Sequence, residues 1–195
     1  MKNAKKRTTT TIGVMLIIAI IILLFYYYWS NRTEPLEDSS EKKLTEVEKL
    51  ISKDLDNYYP ETPKEVVKLY SGMTKVLYSD LKDDDVKALA LKIRELYDDE
   101  FLKDNPEESY LTDLYTDIAK WKDDDRTITN YVIVKEDLDE EKEVDGVKYA
   151  TKYVSFTIQE NIKFAETRKI YLRQDENKKW KIFGWEYIPE DDSEK

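Results

Sequence analysis

Residues 147–188 read VKYATKYVSFTIQENIKFAETRKIYLRQDENKKWKIFGWEYI, a run with the composition and period of β-strands. Val, Ile, Thr, Phe and Tyr recur in it, side chains that pack well on a pleated, half-buried surface. Successive side chains of a strand point to opposite faces, so a strand over Val147–Ile158 gathers Ala150, Val154, Phe156 and Ile158 on one side. A second strand, Ile162–Leu172, does the same with Ile162, Phe164, Ile170 and Leu172. After the polar turn Gln174–Lys179 comes Trp180–Ile188, and upstream Thr127–Val134 supplies a fourth strand, with Asp145–Gly146 as a tight-turn dipeptide. Short connections between consecutive strands predict an antiparallel meander.

Ahead of the strands the period is helical. Leu44, Val47, Ile51, Leu55 and Tyr58 form one stripe of a first helix. Thr62, Pro63 and Glu65 make a capping box with proline at the first helical position, and Val66, Tyr70, Met73 and Leu77 form the stripe behind it. A third helix follows Asp83–Asp85, carries Val86, Leu89, Ile93 and Leu96 or Tyr97, and ends near Phe101. The fourth begins after Asn105–Pro106 and carries Tyr110 or Leu111, Leu114, Ile118 and Trp121. Helices followed by strands predict an α+β domain with the helices on one sheet face.

The amino terminus has a different character. From Ile12 to Trp29 no residue is charged (IGVMLIIAIIILLFYYYW). As a helix this run covers ~27 Å, close to the ~30 Å hydrocarbon core of a bilayer. Ile12, Leu16, Ile20 and Leu24 lie along it, and Tyr26, Tyr27, Tyr28 and Trp29 close it with rings suited to the headgroup boundary. Lys2, Lys5, Lys6 and Arg7 precede the run with no acid among them, which predicts a cytoplasmic amino terminus and an extracellular carboxyl-terminal domain. A cleaved signal peptide is the competing reading. Against it, bulky residues fill Phe25–Trp29 where a small-x-small site would be needed. The expected organisation is a basic tail over 1–11, a transmembrane helix over 12–29, a linker over 30–40, an extracytoplasmic domain over 41–189 and an acidic tail over 190–195.

Three segments together carry a resemblance: YPETPKEVVKLYSGMTKVLYSD (59–80), LYDDEFLKDNP (96–106) and YLRQDENKKWKIFGWEY (171–187). With the apolar run they resemble uncharacterised single-pass membrane proteins of Gram-positive bacteria whose exported domain is similar to the nuclear-transport-factor-two superfamily, a cystatin-like cone. The resemblance implies helices against a curved antiparallel sheet and names no functional residues. The expected fold class is therefore α+β: an N-terminal transmembrane helix, then about four helices packed on a curved four-stranded antiparallel meander sheet.

The composition removes most familiar chemistry. The 195 residues contain no His and no Cys, which excludes histidine-dependent triads, thiol nucleophiles and His/Cys zinc sites. Four glycines at 13, 72, 146 and 184 are too dispersed for a phosphate-cradling loop. The acidic triplets Asp83–Asp85 and Asp123–Asp125 lack the alternating spacing and central Gly of a calcium loop, so no metal and no cofactor is expected. Ser52–Lys53 and Ser71 near Lys75 are no more than a Lys-rich helix produces by chance.

Two kinds of candidate site remain. Glu166 shares a strand face with Ile162, Phe164, Ile170 and Leu172, and Glu186 one with Trp180, Ile182 and Ile188. Either could serve as a pocket base if buried beside rings, although Arg168 stands two residues from Glu166 on the same face. Phe183, Trp185 and Tyr187 share the other side of the last strand, and Lys163, Lys169 and Arg173 share one parity of theirs. These six define a possible partner surface.

Charge is unevenly spread. Residues 37–125 hold 14 bases and 25 acids, whereas 148–181 hold nine bases and four acids. The sheet is basic relative to the helical layer, a distribution that suits an envelope protein or an anionic wall polymer rather than nucleic acid. The expected function is a membrane-anchored extracytoplasmic binding or scaffold domain of the cell envelope, non-enzymatic. The alternatives are a subunit of a conjugation- or secretion-like assembly, and a small-ligand pocket protein or enzyme of the same superfold.

Overall fold

The computed structural model describes residues 44–134 and 140–189, which fall within one compact unit, Leu44–Lys195. The apolar run, its basic flank, the linker and the acidic tail lie outside the described residues. Among the described residues no helix is long and apolar enough to cross a membrane.

Five helices precede five strands: α1 (Glu46–Ile51), α2 (Pro63–Leu77), α3 (Asp83–Arg94), α4 (Asp99–Asp104), α5 (Glu107–Asp123), β1 (Thr127–Ile133), β2 (Glu140–Val144), β3 (Val147–Gln159), β4 (Lys163–Gln174) and β5 (Trp180–Ile188). The α+β class stands, with five helices and five strands among the described residues instead of about four helices and four strands after the apolar run. The capping box of α2 is present in full: the Thr62 hydroxyl accepts from the Glu65 amide, and the Glu65 carboxylate accepts from the Thr62 amide. Its predicted stripe, Val66, Tyr70, Met73 and Leu77, is buried.

Two helix predictions fail for identifiable reasons. The first helix stops at Ile51 rather than reaching Tyr58, because the Asp54 carboxylate accepts from the Asp56 and Asn57 amides and from the Asn57 side chain. Such local side-chain bonds compete with helical ones. Leu55 is buried all the same, while Tyr58 is 81% exposed. The third predicted helix breaks between α3 and α4, where the sheet edge captures the chain. The Ile182 amide donates to Leu96 O and the Asp98 amide donates to Ile182 O, each at 2.9 Å, forming a parallel bridge between Tyr97 and Ile182.

The sheet is antiparallel in the order β1-β3-β4-β5, with β2 also on β3. β1 pairs with Val154–Gln159 and β2 with Val147–Thr151, so these two strands follow one another along the same edge of β3. The strand β2, EEKEV, is exposed along its length and has no apolar alternation to announce it. Opposite charges and the turn hold it: Glu143 faces Lys148, and Glu141 lies 3.7 Å from Lys152. Asp145 (φ 51°) and Gly146 (φ 81°) both occupy the left-handed region, as a two-residue hairpin turn of the favoured twist requires. Gly146→Ala is expected to cost about 1 kcal/mol by chemical denaturation, because a Cβ strains that conformation. No neighbouring atom lies within 4 Å of where the Cβ would sit, so crowding contributes nothing to that cost.

The core lies between the helices and the even-numbered side of β3 and β4. Val66, Val67 and Met73 of α2 and Leu89 and Ile93 of α3 join Phe156, Ile158, Ile170, Leu172 and Ile182 there, all essentially solvent-free. Those β3 and β4 residues alternate as the sequence predicts. The last strand does not alternate throughout. Ile182 pairs with Leu172 and Gly184 with Tyr171, leaving Phe183 as an extra residue in a bulge. A single inserted residue exchanges the two faces of everything beyond it.

Candidate interaction surface

The bulge sorts the sequence-derived candidates into two groups. At the bulge itself Phe183 lies on the outer face, edge-on to Tyr149 and tilted against Tyr171, both with centroids 5.9 Å away. Beyond it Trp185 pairs with Ile170 and turns inward, its ring 5.2 Å from Phe101, 5.9 Å from Tyr97 and 6.1 Å from Tyr70. Tyr187 pairs with Arg168 on that inward side and stacks on its guanidinium at 5.2 Å. The expected common face of Phe183, Trp185 and Tyr187 is thus corrected: Phe183 alone looks outward.

The same shift moves Glu186. Instead of sharing a face with Trp180 and Ile182, it pairs with Lys169 on the outer side, where it accepts from the Tyr171 hydroxyl and lies 3.7 Å from Lys169 Nζ. Glu166 stays on the inward face, where alternation puts it. Its Oε1 accepts from Arg168 Nε at 2.9 Å and faces Nη2 at 2.7 Å. Arg168 is 6% exposed, and its guanidinium lies 4.9 Å from the Phe156 centroid. Burial pulls against its charge, but the Tyr70 and Tyr187 oxygens and the Glu166 carboxylate outweigh that and raise its pKa further. Glu166 therefore belongs to an ion pair among rings.

On the outer face, the odd-numbered residues of β3 and β4 are half-buried or exposed, Thr151 excepted. Here Lys163, Lys169 and Arg173 share a side, as their parity predicts. Lys169 Nζ stands 5.9 Å from the Tyr153 ring and 5.2 Å from the Tyr171 ring. Arg173 lies 5.9 Å from Phe183. The result is a ring-and-cation lattice across three strands: Tyr149 and Tyr153 from β3, Tyr171, Lys169 and Arg173 from β4, and Phe183 from β5. The three tyrosines were missed in the sequence, although their shared odd parity marks them out.

One end of the lattice is tied to the helical layer. Arg173 Nε donates to Asp98 Oδ2 at 2.7 Å, Nη2 faces Oδ1, and Glu100 lies 2.8 Å from Nη2. Asp98 also caps α4 by accepting from the Glu100 amide at 3.0 Å. Burial would raise the Asp98 carboxyl, but the Arg173 hydrogen bonds and the amides of Glu100 and Phe101 prevail and hold it below the usual range. No sequence pattern distinguishes Asp98 from its acidic neighbours, because its partner stands 75 residues away.

Fold and surface together define a small α+β domain whose sheet is covered by helices on one side and carries an aromatic–cation lattice on the other. The chain belongs to the family of proteins described as a domain of unknown function (DUF6715), whose model matches residues 1–185. No curated protein and no solved structure matches it.

Proposed function

We propose that this protein is a single-pass membrane protein of the Gram-positive cell envelope, with a cone-shaped extracytoplasmic domain that binds a partner through the outer face of its sheet and performs no chemistry of its own. The observation that carries this reading is the lattice of Tyr149, Tyr153, Tyr171 and Phe183 on the sheet face opposite the buried core. Rings are costly to leave in water, and on a binding surface they supply contact area at little entropic cost. Neither candidate carboxylate is idle: Glu166 is held by Arg168, and Glu186 by Tyr171 and Lys169. The uncharged run at 12–29 and the basic flank before it supply the tether and its orientation. The family model takes in that run together with the domain, which supports treating the two as a unit. Confinement to a surface raises the local concentration seen by a partner, so modest affinity suffices.

The test is a protease applied to intact wall-free cells expressing the full chain. Digestion of the carboxyl-terminal domain, with the amino terminus protected, is the expected result. A fully protected chain, or full-length protein in the cytosolic fraction, would overturn the tether.

A further inference from the structure

The outer-face lattice runs into an open cleft of about 760 Å³ between the β2–β3 turn, the β4–β5 turn and the start of α4. Tyr149 and Arg173 line it together with Glu143, Gln174, Asp175 and Asn177. Resting on the binding role proposed above, we infer that this cleft and the adjoining rings bind an uncharged glycan chain.

Charge argues for this ligand class over a polyanion. The cleft lining carries six carboxylates against three cations. The nearest lattice cations are already answered: Arg173 by Asp98 and Glu100, and Lys169 by Glu186. An anionic polymer would have to displace those carboxylates or stand against them. A neutral sugar meets no such cost, and its hydroxyls can donate to carboxylate and amide oxygens while accepting from the Gln174 and Asn177 side-chain amides.

The rings supply the other half of the chemistry. Tyr149 is the lattice ring that lines the cleft; it is half-buried, with Phe183 packed edge-on against it and Tyr171 beyond, so its neighbours hold it in place. A pyranose has one face of C–H groups and a rim of hydroxyls. The first suits a ring surface and the second the polar cleft wall. A cleft of this size falls in the usual range for ligand sites and accommodates a short run of sugar units.

The experiment is calorimetric titration of the full chain in detergent with two neutral probes, chitotetraose and cellotetraose, and with polyphosphate as the anionic one. Binding of a neutral tetrasaccharide with Kd of roughly 0.1–1 mM, about −4 to −5.5 kcal/mol, is expected. It should be insensitive to salt, weakened at least ~10-fold in Tyr149→Ala and Phe183→Ala, and unchanged in Tyr187→Ala. Near-UV circular dichroism establishes that each variant is folded. Absence of binding by both neutral probes, or binding unaltered in both ring variants, overturns the glycan. Polyphosphate binding that falls steeply with salt and is lost in Lys163→Ala/Lys169→Ala overturns it too, while leaving the outer face as the binding surface. If no probe binds, the glycan proposal falls on its own; the protease experiment tests the tether separately.

Discussion

Trp185→Ala is expected to destabilise the domain by roughly 3 kcal/mol, and Phe183→Ala, two residues away in the same strand, by only about 1 kcal/mol. Simple alternation gives both residues one environment and predicts similar losses. The bulge at Phe183 separates them. Trp185 packs against Tyr70, Tyr97 and Phe101 from three different elements, whereas Phe183 touches rings only on the open face. Removal of the indole leaves a cavity that α2, α4 and the segment between α3 and α4 would have to fill, and close-packed interiors relax only in part. Urea denaturation of the two variants measures the difference directly. Equal losses would mean that the strand runs without the bulge, and the division of the two faces would have to be redrawn.

The second large effect concerns Asp98, which is 4% exposed and joins the helix break to the sheet. Asp98→Ala is expected to cost about 2–4 kcal/mol, because it deprives the Arg173 guanidinium of its bidentate partner and α4 of its cap. Glu100 remains beside Arg173 and keeps the loss from being larger. Asp98→Asn retains an oxygen for the cap but not the charge, and separates the two contributions. The pH dependence follows from the lowered carboxyl. A carboxylate whose folded pKa lies below its unfolded value of about 3.9 contributes stability that is present above that pH and lost on acidification through the folded value. The gap between the native chain and Asp98→Asn should therefore be full at pH 7 and narrow progressively below about pH 4. A gap that stays constant down to pH 2 would show that the charge on Asp98 contributes nothing.

Legibility differed by element. The α2 capping box, Thr62 to Glu65, could be read at once because both partners lie within one turn. The inward face of β3 and β4 is legible from Val154, Phe156 and Ile158 and from Ile170 and Leu172, although Glu166 and Arg168 interrupt the apolar period and Ile162, expected on this face, is 73% exposed in the turn before β4. The strand β2 could not be read, because a run of acids carries no apolar period and it is held by Lys148, Lys152 and a turn. Nor could the break between α3 and α4, where the pattern LYDDEF continues helically until the edge of β5 offers Leu96 and Asp98 competing hydrogen bonds. Of the candidate surface, parity puts Lys163, Lys169 and Arg173 on one side, which is the outer face, but it also groups Phe183 with Trp185 and Tyr187 and sets Glu186 opposite them, and the bulge breaks both of those groupings.

Composition and spacing within a few residues suffice for the class of fold, for the residues that share each face of β3 and β4, and for excluding histidine and cysteine chemistry. Which rings and charges meet on the open face depends instead on contacts between distant segments. A bulge and a ladder of cross-strand partners set that arrangement, and both arise from residues that are distant along the chain and adjacent in space.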